Sequence, residues 1–321
     1  MGNMEKTVES GNHRFLLRVE SSPDGDDYPK YERLRDEIWG VPEDHLAGPR
    51  DLVCENFLHR GTSLLIGAFA AEGDGFPLDG EHLAGFSYGF VGTLDKDVAF
   101  REISNLRFYS QYTCVRPAYR SCGLGLRIKE FQREVVLELF GLGTILCTYD
   151  PLTDVNARRN VHHFGMDVLE YHESLKGEFG GNLNRKDVPS DRFLMSWDLK
   201  REHRPPAVPP EVYAGAVGHV IRAGMRTFTA ASGTVSREAV QDVDIGRREE
   251  TLLVRIPRDF YGMLRETDVD DPDVRRIAFD WRMATRQAFQ TLFRRGYRVS
   301  DFLRAGEGIE ANAYLLTRKS P

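Results

Sequence analysis

The hydrophobic pattern changes period at one point of the chain. From Phe108 to Val115 the residues Phe108-Tyr109-Ser110-Gln111-Tyr112-Thr113-Cys114-Val115 are rich in β-branched and aromatic types and are closed by Arg116-Pro117, which predicts a strand. From residue 124 the apolar side chains of Leu124, Ile128, Phe131, Val135 and Leu139 recur at helical spacing, with Arg127, Lys129, Glu130, Arg133 and Glu134 between them. An amphipathic helix is predicted to open at Gly123 and Gly125 and to stop at Gly141 and Gly143.

The same reading extends in both directions. Residues 1 to about 13 are polar and predict a loose end. Residues 15–20 predict a strand, residues 28–39 a helix, and residues 64–69 and 83–90 an antiparallel pair joined by a Gly-rich loop. After the helix, residues 144–149 predict a buried strand, a short helix follows to Phe164-Gly165, and residues 166–171 and 191–199 predict two more strands around a polar loop at 176–190. Pro205-Pro206 and Pro209-Pro210 mark a linker, so the expected organisation is a domain at 1–199, a linker at 200–211 and a second domain at 212–321. In that second domain a strand at 252–256, a helix at about 272–295 and strands at 296–302 and 313–317 repeat the order of residues 144–199. The expectation is a degenerate half of the first fold.

A helix that starts on glycines has a chemical use. First-turn amides lack intrahelical acceptors and carry the positive end of the macrodipole, and missing Cβ atoms let an anion approach the backbone. A dinucleotide fingerprint would need a third glycine where Ile128 stands, and a triphosphate loop would need Gly-Lys-Ser/Thr, which is lacking. The run Val115-x-Pro117-x-Tyr119-Arg120-x-x-Gly123-x-Gly125, between a strand and a helix, resembles instead the coenzyme A loop of the GNAT superfamily of N-acyltransferases. The resemblance covers residues 13–199. The residues Thr148-Tyr149-Asp150-Pro151-Leu152, Asn156-Ala157 and Pro189-Ser190-Asp191-Arg192 look like a poorly characterised bacterial branch of it with a C-terminal extension. It implies an α+β GNAT (acyl-CoA N-acyltransferase) fold, a mixed twisted sheet flanked by helices, followed by a smaller α+β C-terminal domain.

Composition narrows the partners. With 321 residues, a formal charge of -6 and no basic excess, broad nucleic-acid binding is disfavoured. No apolar run reaches membrane-spanning length and Met1 to Lys6 lacks a signal-peptide core, so a cytoplasmic protein is expected. Cys54, Cys114, Cys122 and Cys147 show no Cys-x-x-Cys spacing, and the scattered histidines match no metal-ligand pattern, so no metal is expected. Cys122, at a helix start that can lower a thiol pKa, has no base beside it in sequence and reads as packing rather than as a nucleophile.

The resemblance also implies a chemistry, in which acetyl-CoA or another acyl-CoA is held by Arg120, Ser121, Cys122, Gly123, Leu124 and Gly125. Its pantetheine then runs between the strands at 109–115 and 144–149, which splay apart. An amide near Cys114 or Val115 polarises the thioester carbonyl, and Asn156, at a family position that binds pantetheine, is otherwise an N-cap. The acceptor implied is a small-molecule primary amine, an amino acid among the choices, attacking directly; a homodimer is an allowed assembly. The family's usual acid, a tyrosine four residues before Gly165, is here Val161. Tyr149 is the first substitute, with Tyr109, Tyr112 and Asp150 as others, each open to a packing role instead. Tyr109, Asp191 and Arg192 are substrate candidates, since an arginine can bind an acidic acyl group such as succinyl or an amino-acid carboxylate, the alternative being a structural ion pair. The arginines Arg275, Arg276, Arg282, Arg286, Arg294 and Arg295 read as a solvated helix face paired with acids. A non-catalytic acyl-CoA sensor is the competing class.

Overall fold

The computed structural model describes residues 4–40, 61–174, 181–205, 219–306 and 309–318. Cys54, most of the proline-rich linker and part of the loop at 176–190 lie outside them. The chain divides into two compact units, Met1–Cys147 with Asp198–Arg201, and Thr148–Trp197 with Glu202–Pro321. The division between these compact units falls after residue 147. Its physical cause is a set of buried ion pairs and ring contacts that bind residues 148–197 to the C-terminal segment, among them Asp150 with Arg282, Asp191 with Arg286 and Phe193 with Phe289.

In the first unit the strands β1 (Glu5–Ser10), β2 (His13–Val19), β3 (Ser63–Ala70), β4 (Leu83–Thr93) and β5 (Leu106–Val115) pair antiparallel in chain order. β6 (Thr144–Tyr149) then pairs parallel with β5, so the sheet is mixed. β3 is buried at every position, as a central strand covered on both faces must be. Helix α1 (Pro29–Trp39) touches the sheet through Tyr31 against Phe86, and helix α2 (Leu124–Val135) through Gln132 against Ser87. Phe86 and Ser87 are consecutive on one strand and point to opposite sides, so the two helices cover opposite faces. β1 was expected to be loose. It is a polar edge strand, Glu5-Lys6-Thr7-Val8-Glu9-Ser10, whose charges suit an edge and whose apolar signal is correspondingly faint.

In the second unit helix α3 (Asp154–Ala157) widens into a π-type turn at Arg158–His163, and β7 (Asp167–His172) pairs antiparallel with β8 (Arg192–Asp198). A long hairpin follows, β9 (Ile221–Ala230) with β10 (Gly233–Val243). No apolar run announces it, because most of its side chains are exposed or half-buried. β11 (Thr251–Arg255), β12 (Tyr297–Leu303) and β13 (Ala313–Arg318) form an antiparallel sheet in the order β11-β13-β12. Helices α4 (Phe260–Glu266), α5 (Pro272–Arg275) and α6 (Ile277–Arg294) connect β11 to β12. Trp281 of α6 is fully buried and donates its indole N–H to the Glu238 carbonyl on β10 at 2.8 Å. The strand, helix, Gly-aromatic, strand, strand order is present, with α4 and α5 inserted within it. Among the described residues no helix is long and apolar enough to cross a membrane.

Candidate functional site

The turn between β5 and α2 is built to leave amides open. Pro117–Tyr119 forms a single 3-10 turn that closes with the Arg120 amide on the Pro117 carbonyl. Ser121 then takes φ +64° and Gly123 takes φ +94°. The left-handed region is strained for serine by about 1–3 kcal/mol and is free for glycine. Gly123 is the N-cap, and no side chain caps the helix. The first amides to find acceptors are those of Leu126 and Arg127, both on the Gly123 carbonyl. Among the described residues the amides of Ser121, Cys122, Gly123, Leu124 and Gly125 have no acceptor. Such a concavity, at the positive end of a twelve-residue helix, suits a diphosphate.

The β1–β2 hairpin, of which the sequence predicted only β2, braces this turn. Ser10 Oγ donates to the Cys122 carbonyl at 2.7 Å, and a Cβ on Gly11 would stand 3.0 Å from the Cys122 Cβ. Cys122 itself donates its thiol to the Tyr119 carbonyl at 3.1 Å, consistent with packing. His13 and Phe15 meet the Tyr119 ring edge-on at 5.4 and 5.5 Å.

β5 carries the second feature. It pairs with β6 only through Phe108↔Ile145, Tyr109↔Leu146 and Ser110↔Cys147. At the same point its register against β4 slips, from Gly89↔Ser110 to Tyr88↔Tyr112, leaving Gln111 as a bulge. From Gln111 to Val115 the edge away from β4 pairs with no described strand. The Arg116 amide donates to the Ala84 carbonyl on β4 at 2.8 Å, so by alternation the Cys114 amide also faces β4 and those of Thr113 and Val115 face the open edge. Arg120 Nε confirms that direction by binding the Val115 carbonyl at 3.2 Å. Of the two amides expected at the thioester, Cys114 is therefore corrected to a ladder residue, and burial pushes its thiol up to about 12.

The bulge also places side chains. Tyr109 packs on Phe90 at 5.5 Å and Tyr112 on Tyr88 and Trp39 at 6.4 and 5.4 Å, which puts both tyrosines on the α1 face although they are three residues apart. Regular alternation would have separated them. On the α2 face Lys129 is buried, 3% exposed, with Nζ 2.6 Å from Ser110 Oγ and 2.9 Å from Gln132 Oε1. The sequence reading put Lys129 among the polar positions between the apolar ones, and no periodic signal could have moved it inward.

In the second unit most candidates are already committed. Tyr314 donates its hydroxyl proton to the Pro151 carbonyl at 2.7 Å, so the 3.1 Å contact between Tyr149 and Tyr314 is a donation from Tyr149. Asp150, 4% exposed, accepts from both terminal nitrogens of Arg282 and from the Leu152 amide. Both are engaged by partners within the second unit. Asn156 donates to Thr153 Oγ1 and accepts from Arg159, a local network rather than an open donor. Asp191 is fully buried and accepts from Tyr171, the Ser174 amide and, bidentately, Arg286, so it is a structural ion-pair partner and not a substrate ligand. Its carboxyl is held below the usual range: burial, the largest influence, opposes this, but the hydrogen bonds from Arg286 and Tyr171 with the Arg282 charge outweigh it. Arg282, 1% exposed, is the opposite of the solvated position expected for it. Arg192 makes no hydrogen bond or ion pair with any described residue. Val161, which stands where the resemblance implied a tyrosine, is buried. No group of three His, Cys, Asp or Glu side chains among the described residues is arranged to hold a metal ion.

No family model and no curated protein matches the sequence. Among solved structures, the chain is similar to the ribosomal-protein-S5-alanine acetyltransferase of Vibrio fischeri, with 14% identity and a TM-score of 0.40 over 62% of this chain and 100% of that one. It is similar to an acetyltransferase of the GNAT family from Streptococcus pneumoniae, with 13% identity and a TM-score of 0.40 over 57% and 98%. A third is Arabidopsis thaliana NAA60 in complex with acetyl-CoA, with 13% identity and a TM-score of 0.41 over 57% and 99%. Each likeness spans about three fifths of this chain and nearly all of the other.

Proposed function

We propose that the protein is an acyl-CoA-dependent N-acyltransferase acting on a primary amine. The observation that carries this reading is the uncapped turn at Ser121 to Gly125 beside an open β5 edge. The turn's amides hold the diphosphate of coenzyme A, and Thr113 and Val115 present backbone donors along the edge where a pantetheine arm runs. The thioester supplies an activated acyl group. A preorganised Val115 amide stabilises the oxyanion that forms as the amine attacks, an effect of a few kcal/mol in a dry site. The C–N bond forms, the C–S bond breaks, the ammonium loses a proton and the departing sulfur gains one. Beside Tyr149 and Asp150, which are engaged in the second unit, Tyr109 and Tyr112 are the other candidates for the acid, and Tyr112 lies beside the bulge. Direct attack needs no enzyme nucleophile, and holding the reactants together supplies much of the acceleration.

Val161 favours a second reading, a non-catalytic acyl-CoA sensor, since the family's acid is absent there. Titration calorimetry with acetyl-CoA and free-thiol release over a panel of amines separate the two. Binding with turnover that falls in Tyr112→Phe is expected. Binding without turnover on any amine makes the protein a sensor, and absence of binding removes both readings.

A further inference from the structure

Where β2 ends and α1 begins, the chain gathers two cations and two carboxylates around one cavity. Its volume is about 350 Å³, and Arg18, Glu20, Asp27 and Lys30 are the charged residues on its wall, with Ser22 and Leu78 beside them. That size lies at the small end of ligand pockets. All of these residues belong to the first unit, and the four charges sum to zero.

The carboxylates are engaged to different extents. Glu20, 8% exposed, accepts from the amides of Ser21 and Ser22 at 3.1 Å each and from the Tyr31 hydroxyl at 2.9 Å. Burial, the largest influence, and the neighbouring Glu20 charge push the Tyr31 phenol well above its ordinary pKa, so it stays a donor. Asp27 accepts from the Ser22 hydroxyl through Oδ2, and its Oδ1 has no hydrogen-bond donor among the described residues.

The cations hold unused donors. Lys30 is as buried as Glu20, and its ammonium has three hydrogens to place. One goes to the Leu78 carbonyl at 2.9 Å. Glu20 and Asp27 each stand 3.8 Å from Nζ, whereas a charge-assisted hydrogen bond closes to about 2.7–2.9 Å. The rings of Tyr31 and Phe69, 5.4 and 5.5 Å away, hold the ammonium on its apolar side. Arg18 faces Glu5 through Nε at 3.4 Å, and its terminal nitrogens have no acceptor among the described residues. A buried ammonium with two hydrogens unplaced, beside an open volume, calls for an acceptor from outside the chain. A lone anion there would meet Glu20 and Asp27, and a lone cation would meet Lys30 and Arg18. A small molecule carrying both signs meets no such opposition.

We propose that this cavity binds a free α-amino acid, its carboxylate on Lys30 and Arg18 and its ammonium on Asp27 Oδ1. The site is separate from the open edge of β5. Arg18 pairs across the sheet with Gly67, Gly67 with Phe86 and Phe86 with Cys114, so three strand spacings, roughly 14 Å, lie between Arg18 and β5. The amino acid held here is a bound ligand and not the amine acceptor.

The test uses the full chain without coenzyme A. L-alanine, L-serine and L-glutamine are compared by calorimetry with propionate and ethylamine, each of which carries one of the two charges. The expected result is that at least one of the amino acids binds tenfold or more tightly than either single-charge probe. Arg18→Gln and Asp27→Asn each weaken that binding tenfold or more while the melting temperature of the free protein stays close to that of the wild type, and Arg18→Lys restores part of the affinity. With acetyl-CoA present, Arg18→Gln leaves the KM for amine acceptors unchanged, as a separate site requires. Binding of none of the three amino acids, or equal binding of propionate or ethylamine, shows that the cavity holds only water or a single ion and overturns the proposal. An affinity untouched by both substitutions overturns it as well, and a KM that rises in step with the dissociation constant makes the cavity the acceptor site instead of a separate one.

Discussion

Helices α4 and α5 start on aspartates whose side chains close the first turn, Asp259 accepting from the Gly262 amide and Asp271 from those of Asp273 and Val274. Helix α2 starts on Gly123, with no side chain over its amides. The two aspartate-capped helix starts and the buried Arg282 of the second unit find their partners within the chain, whereas the first unit holds the turn before α2 in a costly conformation, with Ser121 left-handed and its amides without acceptors among the described residues. A capped helix start is worth about 1 kcal/mol of stability, and α1, α3 and α6 also begin without a side-chain cap, so what sets α2 apart is the left-handed backbone of Ser121 and Gly123 before it.

The largest effect expected comes from breaking the internal pairing of the second unit. Asp150→Ala strands Arg282 as an uncompensated buried cation and lowers stability by about 3 to 5 kcal/mol, read from the urea midpoint. The next crosses the comparison directly, because Gly123→Asp places a carboxylate over the α2 amides in imitation of Asp259 and Asp271. Acetyl-CoA affinity should then fall about 100-fold, or about 2.7 kcal/mol, by calorimetry, and an unchanged affinity would show that the turn does not hold the diphosphate. Removing a cap from the other side, Asp271→Ala, should cost about 1 kcal/mol in unfolding free energy and leave CoA binding as it was.

The smallest effect concerns His219, whose Nδ1 is buried without a partner. Burial, with a lesser contribution from the nearby Arg255 charge, holds its pKa below the ordinary value, so the folded protein prefers the neutral ring. That preference contributes stability above the ordinary histidine pKa of about 6.5 and loses it as pH falls through and below that value. A urea midpoint that declines from pH 7.5 to 5.5 in the wild type should decline less in His219→Gln. Equal slopes would place the pH dependence elsewhere.

Much of this architecture could be read from residue order. The period change between Val115 and Leu124 marks β5, the turn and α2, and the glycines mark where side chains had to be absent. Strands and helices with a strong one-sided or buried pattern, such as β3 and α6, were equally legible. β1 and the β9–β10 hairpin were not, since polar edge strands carry little of the alternation on which such reading depends.

Local order therefore determined the elements and the turn, because backbone preferences and side-chain period act over a few residues. Only the tertiary structure decided which polar groups were used up. Nothing in the neighbourhood of Asp150 reveals that Arg282, 132 residues later, will take both its oxygens, or that Arg192 will be left without an acceptor while Asp191 beside it is saturated. The bulge at Gln111, which turns Tyr109 and Tyr112 to one face, likewise arises from pairing against β4 and not from the strand's own residues. Charge matching and strand register are settled by what the folded chain brings within a few ångströms, and that is a property of contacts made across the whole sequence.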